Sequence, residues 1–230
     1  MVFEGLHPIY DEKARSQLDL GIYIDIVNDV KFAWKVQRDV AERGWTEEQV
    51  RADIEKRLPD FSAYVDPQKA NADVILRYEP SDQGLPYLKV KLIQKKGSQF
   101  PAITLKEDLT LPGSPGATLK MYDDDWFGSP ATVIEMDGEI DMDNMEAQLQ
   151  EIEENIEGLV AKNGEFTEAM TKLKSSPGSQ NGTGLLQTVI AMKVREVYEN
   201  LTAKKTSHET GKKTHQAETG KETLKDLLLR

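Results

Sequence analysis

The chain has 230 residues and no cysteine, and its 40 acidic and 29 basic residues leave a formal net charge of −11. With no thiol there is no disulfide scaffold, thiolate metal site, cysteine nucleophile or thiol switch. No apolar run nears the ~20 residues that cross a bilayer, and the negative balance argues against a nucleic-acid-binding surface, because phosphate backbones attract Lys and Arg.

Met1-Val2-Phe3-Glu4-Gly5 reads as the end of an apolar strand met at once by an acid and a glycine. An acid in that place is a common site of metal or phosphate chemistry in open α/β sheets; a surface carboxylate is the other reading of Glu4. His7-Pro8 follows, where His7 can donate to a phosphate or pack in a loop. Gly21–Val27 is a nearly continuous apolar strand, as in a buried parallel sheet. Asn28 is a helix cap, and a helix runs from about Asp29 to Glu42, with Val30, Trp34 and Ala41 on its inner side and Gly44 as its stop. Thr46 and Gln49 form a capping box for a second helix, ending near Leu58 before Pro59. Ala72–Leu76 is a third strand, so the order is that of an α/β fold.

Tyr87–Ile93 alternates apolar and basic residues and reads as a half-exposed strand in an edge or separate setting, as does Ala131–Met136. Residues 97–130 hold turn residues and little periodicity. Between Asp123 and Glu157 stand 13 acids and no Lys or Arg. Within that stretch Met145, Leu149, Ile152, Ile156 and Leu159 recur at helical steps, giving an amphipathic helix with an acidic outer face. A solvated surface explains those acids more simply than a metal-binding or docking role does. Leu185–Leu201 forms a further helix with Leu186, Ile190, Val194 and Val197 inward. Residues 203–230 contain a polar near-repeat without core-forming residues and read as a disordered basic tail. His208 and His215, seven apart within it, do not make a metal site.

The densest chemistry lies on the first long helix. Lys35, Arg38 and Asp39 stand at i, i+3 and i+4 and share a face, with Lys31 one turn earlier and Arg43 one turn later. Arginine grips phosphate with parallel donors and lysine acts as a mobile point charge. The carboxylate among them can orient the cations or help hold Mg²⁺. A salt-bridged surface face is the plainer alternative. Lys56, Arg57 and Lys69 add cations near the carboxyl side of the proposed sheet. No Gly-x-x-x-x-Gly-Lys-Ser/Thr string occurs in the 230 residues.

These strings, taken in order, resemble phosphoribulokinase of the cyanobacterial, algal and plant type. The matching segments are Val2–Glu12, Val30–Gly44, Pro59–Lys69 and Asn181–Leu185, spread across residues 1–202. The resemblance implies a P-loop-kinase-like three-layer α/β core without its first strands, extended by a mixed sheet. It implies transfer of the γ-phosphoryl of ATP to ribulose 5-phosphate, giving ribulose 1,5-bisphosphate, with Mg²⁺ required. It makes Glu4 an organiser of Mg²⁺-ATP and Asp39 a carboxylate beside the transferring group and, with Glu4, a metal ligand. Lys35 and Arg38 become charge-stabilising cations, Arg43 a ligand of the substrate phosphate, Arg57 a further site cation and His7 a substrate-side donor.

The family's nucleotide loop and proposed catalytic base lie upstream of the Glu4 segment, so the chain alone is expected to be inactive. The family's C-terminal cysteine pair has no counterpart in Leu109–Tyr122. The resemblance further implies a homodimer, docking with glyceraldehyde-3-phosphate dehydrogenase, and a place in the chloroplast stroma or the cyanobacterial cytoplasm. A shortened paralogue that only dimerises or joins a complex is the alternative. A uridine or pantothenate kinase fits the Lys35–Arg43 and Pro59–Lys69 strings less well.

Overall fold

The computed structural model describes residues 2–113, 116–159, 163–176 and 178–203. In chain order these form α1 (Glu12–Arg15), β1 (Ile22–Ile26), α2 (Asn28–Arg43), α3 (Glu47–Asp60), β2 (Val74–Pro80) and β3 (Leu88–Lys95). There follow β4 (Thr104–Leu105), β5 (Leu109–Leu111), β6 (Ala117–Trp126), β7 (Ser129–Asp137), α4 (Met145–Asn155), β8 (Ile156–Glu157) and α5 (Glu165–Lys172). A last helix, α6, covers 182–203. The main sheet has the order β1-β2-β3-β7-β6-β5, and β4 pairs with β8 in a second, two-stranded sheet. Only β1 and β2 run parallel in the main sheet; its other pairings are antiparallel. The fold is α/β with a mixed sheet, as the sequence indicates.

One sheet face carries the main core. Val74, Leu76 and Tyr78 of β2, Val90 and Leu92 of β3, and Ile134 and Met136 of β7 pack with Leu149 and Ile152 of α4, Phe166 and Met170 of α5, and Leu185, Leu186 and Val189 of α6. Close approach of α6 depends on its first residue. A Cβ at Gly182 would lie 2.8 Å from Val90 Cβ. The other face bears a small cluster of Ile9, Ala72, Ile75, Ile93, Ala131 and Val133. Beside it runs a row of charges in register across β1, β2, β3 and β7: Asp25, Arg77, Lys91 and Glu135. Arg77 meets Asp25 and Glu79, each at 2.5 Å, and Lys91 bridges Glu79 (2.9 Å) to Glu135 (3.6 Å).

Several local expectations change. Residues 2–4 form no strand, and Val2 and Phe3 are exposed. Asn28 is the first helical residue of α2, whose N-cap is Val27 without a side-chain cap. Ala41 faces outward, whereas Trp34, though partly exposed, packs edge-on against the buried ring of Tyr78; Val30 and Asp39 are the buried positions of α2. Pro59 does not end α3: the helix runs one residue past it and opens into a π-helical turn, Phe61–Val65. β3 and β7 are central strands, because their outward charges pair across strands instead of requiring open water. Residues 97–130 contain β4, β5 and the ten-residue β6, whose alternating Ala117, Leu119 and Met121 were masked by flanking turn residues. The 203–230 tail lies outside the described residues from 204 on.

Candidate active site

The site is built on the α2–α3 hairpin. Gly44, at φ 68°, ends α2 in the left-handed region that a residue without a Cβ adopts freely. Two residues on, the Thr46 side chain accepts from the Gln49 amide while the Gln49 side chain accepts from the Thr46 amide, starting α3. The tight connection sets α3 against α2, so residues 35–43 and 53–57 come together.

At the centre is Asp39, which has no accessible surface. Lys35 Nζ donates to its Oδ2 at 2.8 Å, Arg38 donates to its Oδ1 through Nε at 2.8 Å, and Arg43 Nη1 lies 3.3 Å from Oδ1. Arg38 and Arg43 are themselves about half exposed. The carboxylate is therefore sealed by its cations, not by depth in the core. The hydrogen bond from Arg38, then that from Lys35, holds the Asp39 carboxyl down from 3.8 to about 2. Lys35 also reaches across to Asp53 Oδ2 on α3 at 3.1 Å, and Asp53 Oδ1 accepts from Arg57 Nε at 2.9 Å. Those two bonds, Lys35 first, lower the Asp53 pKa as well. The indole of Trp45 lies 5.9 Å from Lys35 Nζ.

Five of the seven residues singled out from the sequence, Lys35, Arg38, Asp39, Arg43 and Arg57, thus form one connected network. Glu4 and His7 stand apart from it. Glu4 is exposed, and among the described residues no hydrogen bond or ion pair joins it to Asp39 or its cations. His7 packs edge-on against Tyr10 and lies 3.5 Å from the Gln68 amide. Asp53 was missed, although its spacing of four from Arg57 is the ordinary signal of a helical ion pair.

A pocket of about 280 Å³ opens at the carboxyl ends of β1 and β2, beside the start of α2. Asp25, Lys31, Phe61, Asp66, Lys69 and Arg77 line it. Lys69 bridges Asp66 at 2.8 Å and Asp25 at 3.7 Å. Lys31 has no ion-pair partner among the described residues; its Nζ stands 3.8 Å from the Phe61 ring centroid, and burial lowers its pKa. Lys31 lies one turn from Lys35, so the pocket opens at the inner end of the cationic face of α2.

Chemically, the network offers several positive groups whose directions are fixed by two carboxylates, the arrangement that binds a phosphoryl group and neutralises charge on its oxygens. It does not fit Mg²⁺ at Asp39, because both oxygens are committed to cations that would repel the metal.

The sequence pattern of the phosphoribulokinase / uridine kinase family matches residues 1–83. The chain is 43% identical over 222 residues to the chloroplastic phosphoribulokinase of Chlamydomonas reinhardtii, covering 89% of this chain and 58% of that protein. Identity to the chloroplastic phosphoribulokinase of Spinacia oleracea is 41% over 226 residues, 90% of this chain and 55% of the relative. For the phosphoribulokinase of Synechocystis it is 41% over 220 residues, 88% of this chain and 65% of the relative. A uridine-cytidine kinase of Dictyostelium discoideum is 39% identical over only 77 residues. The chain spans a little over half the length of most of the curated relatives it matches. Over about nine-tenths of its own residues, the chain is a phosphoribulokinase homologue.

Proposed function

We propose that the chain forms the sugar-phosphate and charge-neutralising side of a phosphoribulokinase, the kinase that converts ATP and D-ribulose 5-phosphate to ADP and D-ribulose 1,5-bisphosphate. The observation that carries this reading is the inaccessible Asp39 holding Lys35, Arg38 and Arg43 at hydrogen-bond or ion-pair distance. Phosphoryl transfer asks the protein mainly to position two groups and to neutralise equatorial oxygens. Arg43 and Arg57, the more exposed cations, fit the 5-phosphate of the sugar. Lys35 and Arg38, held close on Asp39, fit the transferring group. Asp39 then acts by orienting cations. ATP is the donor and brings Mg²⁺, toward which Glu4 is the carboxylate of this chain that fits. The metal would supply charge neutralisation on the donor phosphates. The 230 residues contain no glycine-rich phosphate loop.

The wider setting follows from the same reading: a homodimer of the reductive pentose-phosphate cycle, able to join glyceraldehyde-3-phosphate dehydrogenase. Its compartment is the stroma in a plant or alga and the cytoplasm in a cyanobacterium. No helix among the described residues is long and apolar enough to cross a membrane.

Isothermal titration of the purified chain with D-ribulose 5-phosphate tests the reading. Saturable binding is expected, weakening as salt rises, with no response to unphosphorylated ribulose. Arg43→Ala should weaken binding about tenfold, the scale of one charge-assisted hydrogen bond. Equal heats for ribulose and its 5-phosphate would remove the assignment.

A further inference from the structure

Asp53 is the second carboxylate of the network, and its two oxygens are divided between two helices. Oδ2 takes Lys35 of α2 at 3.1 Å, and Oδ1 takes Arg57 of α3 at 2.9 Å. The carboxylate is largely covered, with 17% of its side chain exposed, whereas that of Arg57 is 74% exposed. Arg57 is therefore held at its root. Its Nε is bonded to Asp53, while its two terminal nitrogens have no partner among the described residues. Lys35 is placed in a similar way. Asp39 and Asp53 occupy two directions around its ammonium, and a third N–H remains for another acceptor.

We propose that Asp53 is a positioning residue of the anion site: it clasps α3 to α2, fixing Arg57 for the 5-phosphate of the sugar and Lys35 for the transferring group beside it. This rests on the reading of the network as a phosphate site. Long cationic side chains lose rotamer freedom when they bind an anion, and groups ordered beforehand lose less. The arrangement has an electrostatic cost, because Asp53 is itself a negative charge beside an anion site. Charge alone predicts that removing it tightens anion binding. Positioning predicts the reverse, and the sign of the change separates the two.

The experiment is titration of the chain and its Asp53→Asn variant with D-ribulose 5-phosphate, with circular dichroism confirming that both are folded. Positioning predicts that Asp53→Asn weakens binding about tenfold, although the protein has lost a negative charge. Asp53→Glu, which keeps the carboxylate, should recover most of the loss. Arg57→Lys keeps the cation but has no Nε to anchor, and should also bind more weakly; it carries the test if Asp53→Asn does not fold. If the wild-type chain binds and Asp53→Asn or, in its place, Arg57→Lys binds as well or better, the positioning role is overturned while the site reading stands. If the wild-type chain itself does not bind, the site reading falls and takes the positioning role with it.

Discussion

Asp39 is unusual among surface-helix acids because its partners cover it completely. Its neighbours Lys35, Arg38 and Arg43 could each be read from the sequence as sharing its helix face. What spacing could not give was the second carboxylate across the hairpin, since Asp53 joins only when α3 folds back. Nor could spacing show that Glu4 stays outside the network, because the Val2-Phe3-Glu4 string reads as a strand end whether or not it pairs. The Asp39 carboxyl offers a direct check on the network. Its folded pKa is depressed, so its contribution to stability is present above the ordinary aspartate range and is lost as pH falls through about 2. A ¹³C-detected titration of the Asp39 carboxyl should show a midpoint near 2, against the ordinary 3.8. A midpoint near the ordinary value would mean the cations are not held there in solution.

The hairpin of α2 and α3 was legible because its signals are local: Gly44 at the stop, the Thr46–Gln49 box at the restart, and cations at helical steps. Pro59 misled because proline usually closes a helix. Here it falls in the last turn, and a wider turn at Phe61–Val65 carries the chain on. The capping box bears directly on the site, since it fixes the first turn of the helix that carries Asp53 and Arg57. Thr46→Ala should cost about 1 kcal/mol of stability, read as a lower midpoint in urea denaturation. An unchanged midpoint would show that α3 is held by its packing on α2 alone.

Across the whole molecule, a chain with net charge −11 concentrates a cationic face along one helix and pairs the charges on one face of its sheet. The row from Asp25 to Glu135 explains why β3 looked like an edge strand. Lys89 and Lys91 alternate with apolar residues as a solvent-facing strand would, yet each meets acids across the sheet. Pairings of this kind join residues far apart in sequence and leave no local trace. β6 was hidden for a different reason: its partners β5 and β7 are neighbours in sequence, but turn residues flank its alternating Ala117, Leu119 and Met121. The seat of α6 on the sheet is again non-local. Gly182 marks it, where even a methyl group would press on Val90 and Met136. Gly182→Ala should destabilise the fold by about 1–3 kcal/mol, the usual cost of overpacking, measured by urea denaturation; no loss would mean that α6 can shift without consequence.

Under the proposed function, the Lys35–Asp39–Asp53 network binds the phosphate of the sugar. Side-chain ¹⁵N spectra of the Arg Nε–H groups, recorded as D-ribulose 5-phosphate is added, test it most directly. The signals of Arg43 and Arg57 should move together with one binding curve, and that of Arg38, which shares Asp39 Oδ1 with Arg43, should follow, while those of Arg51 and Arg195, each tied to exposed glutamates elsewhere on the surface, stay in place. Movement confined to other arginines, with these three unchanged at saturating ligand, would contradict it.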